Sequence, residues 1–190
     1  VIAVKSFSLA VLALLLATSA AAQRRTFTAN PSASQITMTL HTTHEVVNGV
    51  FHLQSGAITF DPANSTLSGS ILVLAGSGTT GNSARDKRMN NSILLVDQHA
   101  TVAFAPTSYT GTLAPTGDST LQVTGIFTLL GIPHPITIPI LVHLAGSTAS
   151  AKAHLLIPYV QWGVKDPSFL IWKADKQVTV DLTLTGAVSP

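Results

Sequence analysis

From residue 178 to residue 185 apolar and polar side chains alternate without a break. Val178, Val180, Leu182 and Leu184 interleave with Thr179, Asp181, Thr183 and Thr185. Successive side chains of an extended chain point to opposite faces, so this pattern predicts a strand with one face on a core and one in water. A helix would scatter the same residues around its circumference. The same period recurs at Ile36, Met38 and Leu40, at Ile58 and Phe60, from Leu67 to Val73, and at Val102 and Phe104. It returns from Leu121 to Leu129, more loosely from Ile136 to Val142, and from Ala151 to Ile157. Short punctuation separates the runs: Asn48-Gly49, Ser55-Gly56, Asp61 to Asn64, Thr116 to Asp118, and Ala145 to Ser147 read as turns. Parallel strands would be buried on both faces and would need long crossovers. About eight strands on short links therefore predict an all-β, antiparallel barrel or sandwich.

One stretch breaks the period. Residues 82–94 carry Arg85, Asp86, Lys87 and Arg88, with Met89 and Ile93 four apart on one face. Asn82 or Ser83 can cap its start, which predicts one short helix. The preceding Ala75 to Gly81 reads as a flexible loop. A glycine-rich loop before a helix invites a phosphate-site reading. It lacks the Gly-Lys-Ser/Thr ending and any parallel βαβ unit, so a nucleotide site is not expected.

The N-terminus carries a targeting pattern. Lys5 precedes an apolar run from Leu9 to Ala17, and Ala20-Ala21-Ala22 offers small residues for cleavage before Gln23. Residues 1–22 are thus expected to be a signal peptide, leaving 168 of the 190 residues as one domain, 23–190. The apolar run is shorter than the roughly 20 residues that span a bilayer. No cysteine follows it, so stable membrane insertion and a lipid anchor are not expected. A periplasmic or secreted location follows. Removing Lys5 from ten basic residues leaves nine against eight acidic ones. A balance so near neutral argues against nucleic acid as a partner. With no cysteine, stability rests on packing alone.

No arrangement of residues points to catalysis. There is no Gly-x-Ser-x-Gly elbow, and the eight acidic residues are scattered. His41, His44 and His52 cluster in sequence, yet no His-Glu-x-x-His accompanies them, and pocket-facing or polar histidines are the plainer reading than zinc. Tyr159, Trp162, Phe169 and Trp172 gather within one loop, as a lid on the core or on an apolar cavity.

These residues stand in an order that resembles the YceI-like family. Phe27-Thr28-Ala29-Asn30-Pro31 opens the domain, and His44 leads into Asn48-Gly49-Val50-Phe51 and Gly56 to Pro62. Gly81-Asn82-x-x-Arg85-Asp86 follows, then Thr101 to Phe104. Val123-Thr124-Gly125 through Leu130-Gly131-Ile132 and Pro135-Ile136-Thr137 complete the series. The resemblance runs from Phe27 to Gly186. Arg88 and Leu130 stand where many members carry histidine. The resemblance implies a lipocalin-like barrel, without enzymatic activity or cofactor, whose interior holds a polyisoprenoid or quinone-like lipid. On that reading His44, Arg85 and Arg88 meet the polar head, Trp162 and Trp172 form a lid or wall, and Met38, Leu40 and Phe104 line the lumen. Alternation alone leaves open whether these apolar residues line a cavity or fill a core. The alternative is an envelope stress or redox accessory protein with a solid barrel, docking a membrane redox protein or pairing as a homodimer.

Overall fold

The computed structural model describes residues 24–190, so the leader expected over 1–22 lies outside the described residues. A short first strand, β1 (Arg25–Ala29), precedes the alternating runs, which form β2 (Gln35–His41), β3 (Val46–Asp61), β4 (Thr66–Thr79), β5 (Thr101–Thr110), β6 (Gly117–Leu129), β7 (Ile132–Ala145), β8 (Thr148–Ile157) and β9 (Val178–Ser189). Every pairing is antiparallel. β1 and β2, separated by a 3₁₀ turn at Pro31–Ala33, each pair with β3 on one side and β9 on the other. They behave as one interrupted strand. Counted so, eight strands follow one another as a meander, and the pairing of the first, interrupted strand with β9 closes the sheet on itself. Closure removes the unpaired edges that an open sheet would leave.

The alternation now has a direction. Ile36, Met38 and Leu40 on β2, Val102 and Phe104 on β5, and Val180 and Leu182 on β9 face the interior. Their polar neighbours face water. Polar side chains on that outer face pair across strands: His143 Nδ1 lies 2.6 Å from Asp118 Oδ1, and His154 Nδ1 lies 2.7 Å from Asp181 Oδ1.

Three sequence expectations change. Asn48-Gly49 is not a turn but lies inside β3, opposite Thr39 and Met38; the reversal is made by residues 42–45. Ser55-Gly56 also lies within β3, beside a register shift against β4. The stretch expected to be a flexible loop is strand as far as Thr79. Its glycines serve close approach. A Cβ on Gly76 would come 2.9 Å from Val96, and one on Gly78 would come 2.6 Å from both Met89 and Phe51. Lacking side chains there, β4 lets the segment after it fold down against the barrel.

That segment is α1 (Ser83–Arg88), continued by a π-helical turn at Met89–Ile93. Asn82 caps it, its Oδ1 accepting from the N–H groups of Ala84 and Arg85 at 3.1 Å each. Met89 and Ile93 face the interior, as their spacing predicts.

Candidate functional site

The inward faces do not meet in the middle. They enclose a cavity of about 770 Å³, within the ~300–1,000 Å³ usual for sites that take small molecules. Its walls are almost wholly hydrocarbon. At one end Phe60, Leu144, Ala149 and Val188 pack together as a buried base. At the other end lie four connections: residues 42–45, the helical segment after β4, the tight turn at Leu130-Gly131, and the long 158–177 loop. Most polar groups of the cavity wall collect at this end, among them Glu45, Thr80, Asn82, Arg85, Arg88 and Lys173, while Tyr109, Ser150 and Lys152 lie farther down the strands. This end is the mouth.

Arg85 and Glu45 face each other across it, with Nη1 donating to Oε1 at 3.1 Å and Nη2 to Oε2 at 3.4 Å. Arg88 donates from Nη2 to the carbonyl of Pro167 at 3.0 Å and has no carboxylate partner among the described residues. Of the two arginines, Arg88 keeps an uncompensated charge. Asp86 points away from the cavity and fastens the helix to the end of β4. Thr80 donates to it from N–H at 2.9 Å and from Oγ1 at 2.7 Å, and Thr79 from Oγ1 at 3.2 Å. The Thr80 hydroxyl, helped by the Thr80 amide and the Thr79 hydroxyl, holds this carboxyl below its ordinary value.

The structure brings together most of the residues singled out from the sequence. Met38, Leu40 and Phe104 lie on the cavity wall, and Arg85, Arg88 and Trp172 lie at its mouth. His44 does not line the cavity. It is exposed on the 42–45 turn, its ring centroid 4.2 Å from that of Trp172 and tilted 55° to it. Trp162 is not on the cavity wall either. Its ring stacks on His134, 4.2 Å away and 6° from parallel, and meets Phe127 at 5.6 Å. It braces the root of the loop from behind the wall, and the cavity meets Phe169 and Trp172 instead. Sequence reasoning passed over Glu45 and Asn82 as wall residues. Asn82 carries a visible signal in its Gly-Asn-x-x-Arg-Asp setting, whereas Glu45 becomes legible only once the mouth is assembled. His41, His44 and His52 do not converge, and no group of three potential metal ligands occurs among the described residues.

The 158–177 loop is tied down by its own polar groups. Tyr159 donates from its hydroxyl to the Asp175 carbonyl at 2.6 Å, and burial, with Asp166 and Asp175 nearby, pushes its pKa up to about 12. Asp166 accepts from the Lys176 ammonium and from the Ser168 amide. The Lys176 contact, with Ser168 behind it, brings its pKa down to about 2. A depressed carboxyl contributes stability that is present above its ordinary value of 3.8 and lost as pH falls toward 2. Asp86 acts in the same sense. Acidification from about pH 4 to 2 is therefore expected to loosen the mouth before the barrel unfolds. Amide exchange should rise in residues 80–94 and 158–177 while β5 and β6 stay protected; a uniform rise would sink this expectation.

A closed eight-stranded antiparallel meander around an apolar cavity, with one polar mouth, defines a lipocalin-like barrel. The sequence profile of the YceI-like domain matches residues 27–186, and the chain belongs to that family. Solved structures of the same shape include Burkholderia cenocepacia BcnA, with a TM-score of 0.65 at 18% identity over 85% of this chain and 99% of that one. A polyisoprenoid-binding domain from Saccharophagus degradans, implicated in plant cell wall breakdown, gives a TM-score of 0.65 at 16% identity, covering 85% and 98% of the two chains. The Campylobacter jejuni YceI protein gives 0.60 at 15% identity, covering 77% and 88%. No curated protein sequence matches significantly.

Proposed function

We propose that the protein is an exported, non-enzymatic carrier that holds one long apolar lipid, a polyisoprenoid or a quinone-like molecule, with its polar head at the mouth beside Arg88 and Arg85. The observation that carries this reading is the hydrocarbon-walled cavity of about 770 Å³ that ends on a cationic rim. Water gains little from such walls, whereas each methylene of a ligand moved onto them is worth roughly 0.8 kcal/mol. The Saccharophagus degradans domain of the same shape is described as polyisoprenoid-binding, which supports the same ligand class here. The signal-peptide pattern of residues 1–22 supports a periplasmic or secreted location, where a lipid insoluble in water needs a vehicle. A hollow interior is not what the solid-barrel accessory reading expects.

Protein taken from its own envelope should carry one lipid per chain by native mass spectrometry, and solvent extraction should identify it. Protein that arrives empty, and also fails to retain added polyprenyl phosphate or ubiquinone, would overturn the proposal. With Arg85→Gln and Arg88→Gln combined, retention of polyprenyl phosphate should fall about tenfold or more, and that of ubiquinone much less. Equal losses would make the arginines structural.

A further inference from the structure

The 158–177 loop carries a turn whose large apolar side chains are left exposed to solvent. Phe169, Leu170, Ile171 and Trp172 are 61, 73, 71 and 49% exposed, four large apolar residues in succession. They form a tight reversal in which the amides of Phe169 and Trp172 each donate to the other's carbonyl at 2.9 Å. Leu170 sits at φ +50°, in the left-handed region where glycine or asparagine is cheaper than a bulky side chain. A leucine at that position costs backbone energy and contributes little burial.

The turn is also held rigid. Thr43 donates from N–H to the Lys173 carbonyl at 2.9 Å and from Oγ1 to the Ile171 carbonyl at 3.2 Å, and His44 packs on Trp172. Phe169 and Trp172 belong to the cavity wall, while Leu170 and Ile171 do not. Apolar surface therefore runs unbroken from the outermost tip into the barrel. Lys165 and Lys173 flank the turn, and neither has a carboxylate partner among the described residues; Asp166 is taken by Lys176.

We infer that the turn Phe169–Trp172 is a membrane-docking tip, which inserts into the interfacial layer of a lipid bilayer, with Lys165 and Lys173 against phosphate headgroups, and so sets the cavity mouth on the membrane. The chemistry fits a bilayer better than a protein. Apolar side chains with a Trp at their edge suit the headgroup boundary, and lysines beside them gain from anionic lipid. A stable protein partner or a second copy needs roughly 800 Å² from each side, far more than one four-residue turn offers. The inference deepens the carrier reading by naming where the ligand is collected, but docking does not require an occupied cavity.

Trp162→Phe leaves Trp172 as the sole tryptophan of the chain and a direct reporter. With vesicles of phosphatidylcholine and phosphatidylglycerol, its emission should shift to the blue and the protein should co-sediment. Leu170→Asp with Ile171→Asp should lower vesicle partitioning by about tenfold or more. Retention of a fluorescent polyprenyl analogue supplied without vesicles should stay unchanged, since neither residue lines the cavity. Leu170→Gly, which relieves the left-handed strain, should keep or raise Tm and still bind vesicles more weakly. Wild-type protein that ignores vesicles, or a double variant that binds them equally, would overturn the inference. So would a wild-type dimer that the double variant dissociates, with no vesicle binding by either. Vesicle binding lost in the double variant, in a protein that never retains lipid, would uphold the docking tip and remove the carrier reading.

Discussion

Ala153→Phe is expected to leave the barrel folded and to weaken binding of the proposed lipid. Ala153 lies on the inner face of β8, between Ile140 of β7 and Leu182 of β9, and forms part of the cavity wall. Enlarging a side chain in a filled core costs about 1–3 kcal/mol, because neighbours must leave their rotamers. Ala153 is itself buried but borders the cavity of about 770 Å³, into which a ring can extend, so that strain should be smaller and Tm should stay within a few degrees. Phe is the better probe than Trp, whose indole N–H would find no acceptor among hydrocarbon walls. A ring that displaces only three methylenes of ligand removes about 2.4 kcal/mol at roughly 0.8 each, about fiftyfold in Kd. Native mass spectrometry of the variant and titration with a fluorescent polyprenyl analogue measure both occupancy and affinity. Undiminished affinity with Tm retained would place the lipid outside the barrel.

How far this arrangement could be read beforehand depends on which physical signal each part leaves in the chain. The strands were legible because burial on one face imposes a period of two, most clearly from Val178 to Leu184. The same logic failed at β1, whose five residues Arg25–Ala29 are too few to show a period. Glycine misled in β3 and β4. Asn48-Gly49 resembles a hairpin turn, and Gly76 and Gly78 resemble a flexible loop, yet all three glycines stand in strands. Gly76 and Gly78 are there because a neighbour presses on the backbone, and that neighbour comes from elsewhere in the chain. The Arg85-Asp86 pair shows the same split at the site. Its charge pattern announced a polar segment, but only the folded mouth separates an arginine on the cavity from an aspartate that fastens the helix to β4. Trp162 and Trp172 looked equivalent in the sequence. One braces the loop against His134 and the other stands at the mouth, a difference that depends on which connection each meets.

The second large effect falls at the seam that closes the barrel. Gly186 of β9 pairs with Ala29 of β1 on one side and Ala149 of β8 on the other. A Cβ there would lie 2.0 Å from the Thr28 carbonyl oxygen and 2.8 Å from the Ala29 Cα. Both are backbone atoms, so no side chain can swing aside to make room. β1 can yield only by moving off β9, and the amide of Asn30, which donates to the Thr185 carbonyl at 2.8 Å, would move with it. The Ser34 hydroxyl, which donates to the Asn30 carbonyl at 2.8 Å and accepts from the Thr185 amide at 3.2 Å, joins β1, β2 and β9 at the same place. Gly186→Ala should therefore cost about 2–4 kcal/mol, a large share of the ~5–15 kcal/mol that holds an ordinary domain together. At roughly 2–4 °C per kcal/mol for a chain of this size, Tm should drop by about 4–16 °C. Gly146→Ala is the control. Its φ of +62° strains an alanine, but its Cβ would meet nothing within 4 Å, so a loss of about 1 kcal/mol is expected. Hydrogen exchange locates the damage: amides of β1 should lose protection in the Gly186 variant while those of β6 and β7 keep theirs. Equal Tm values for the two variants would show that β1 gives way without cost, and that the barrel does not depend on its interrupted strand for closure.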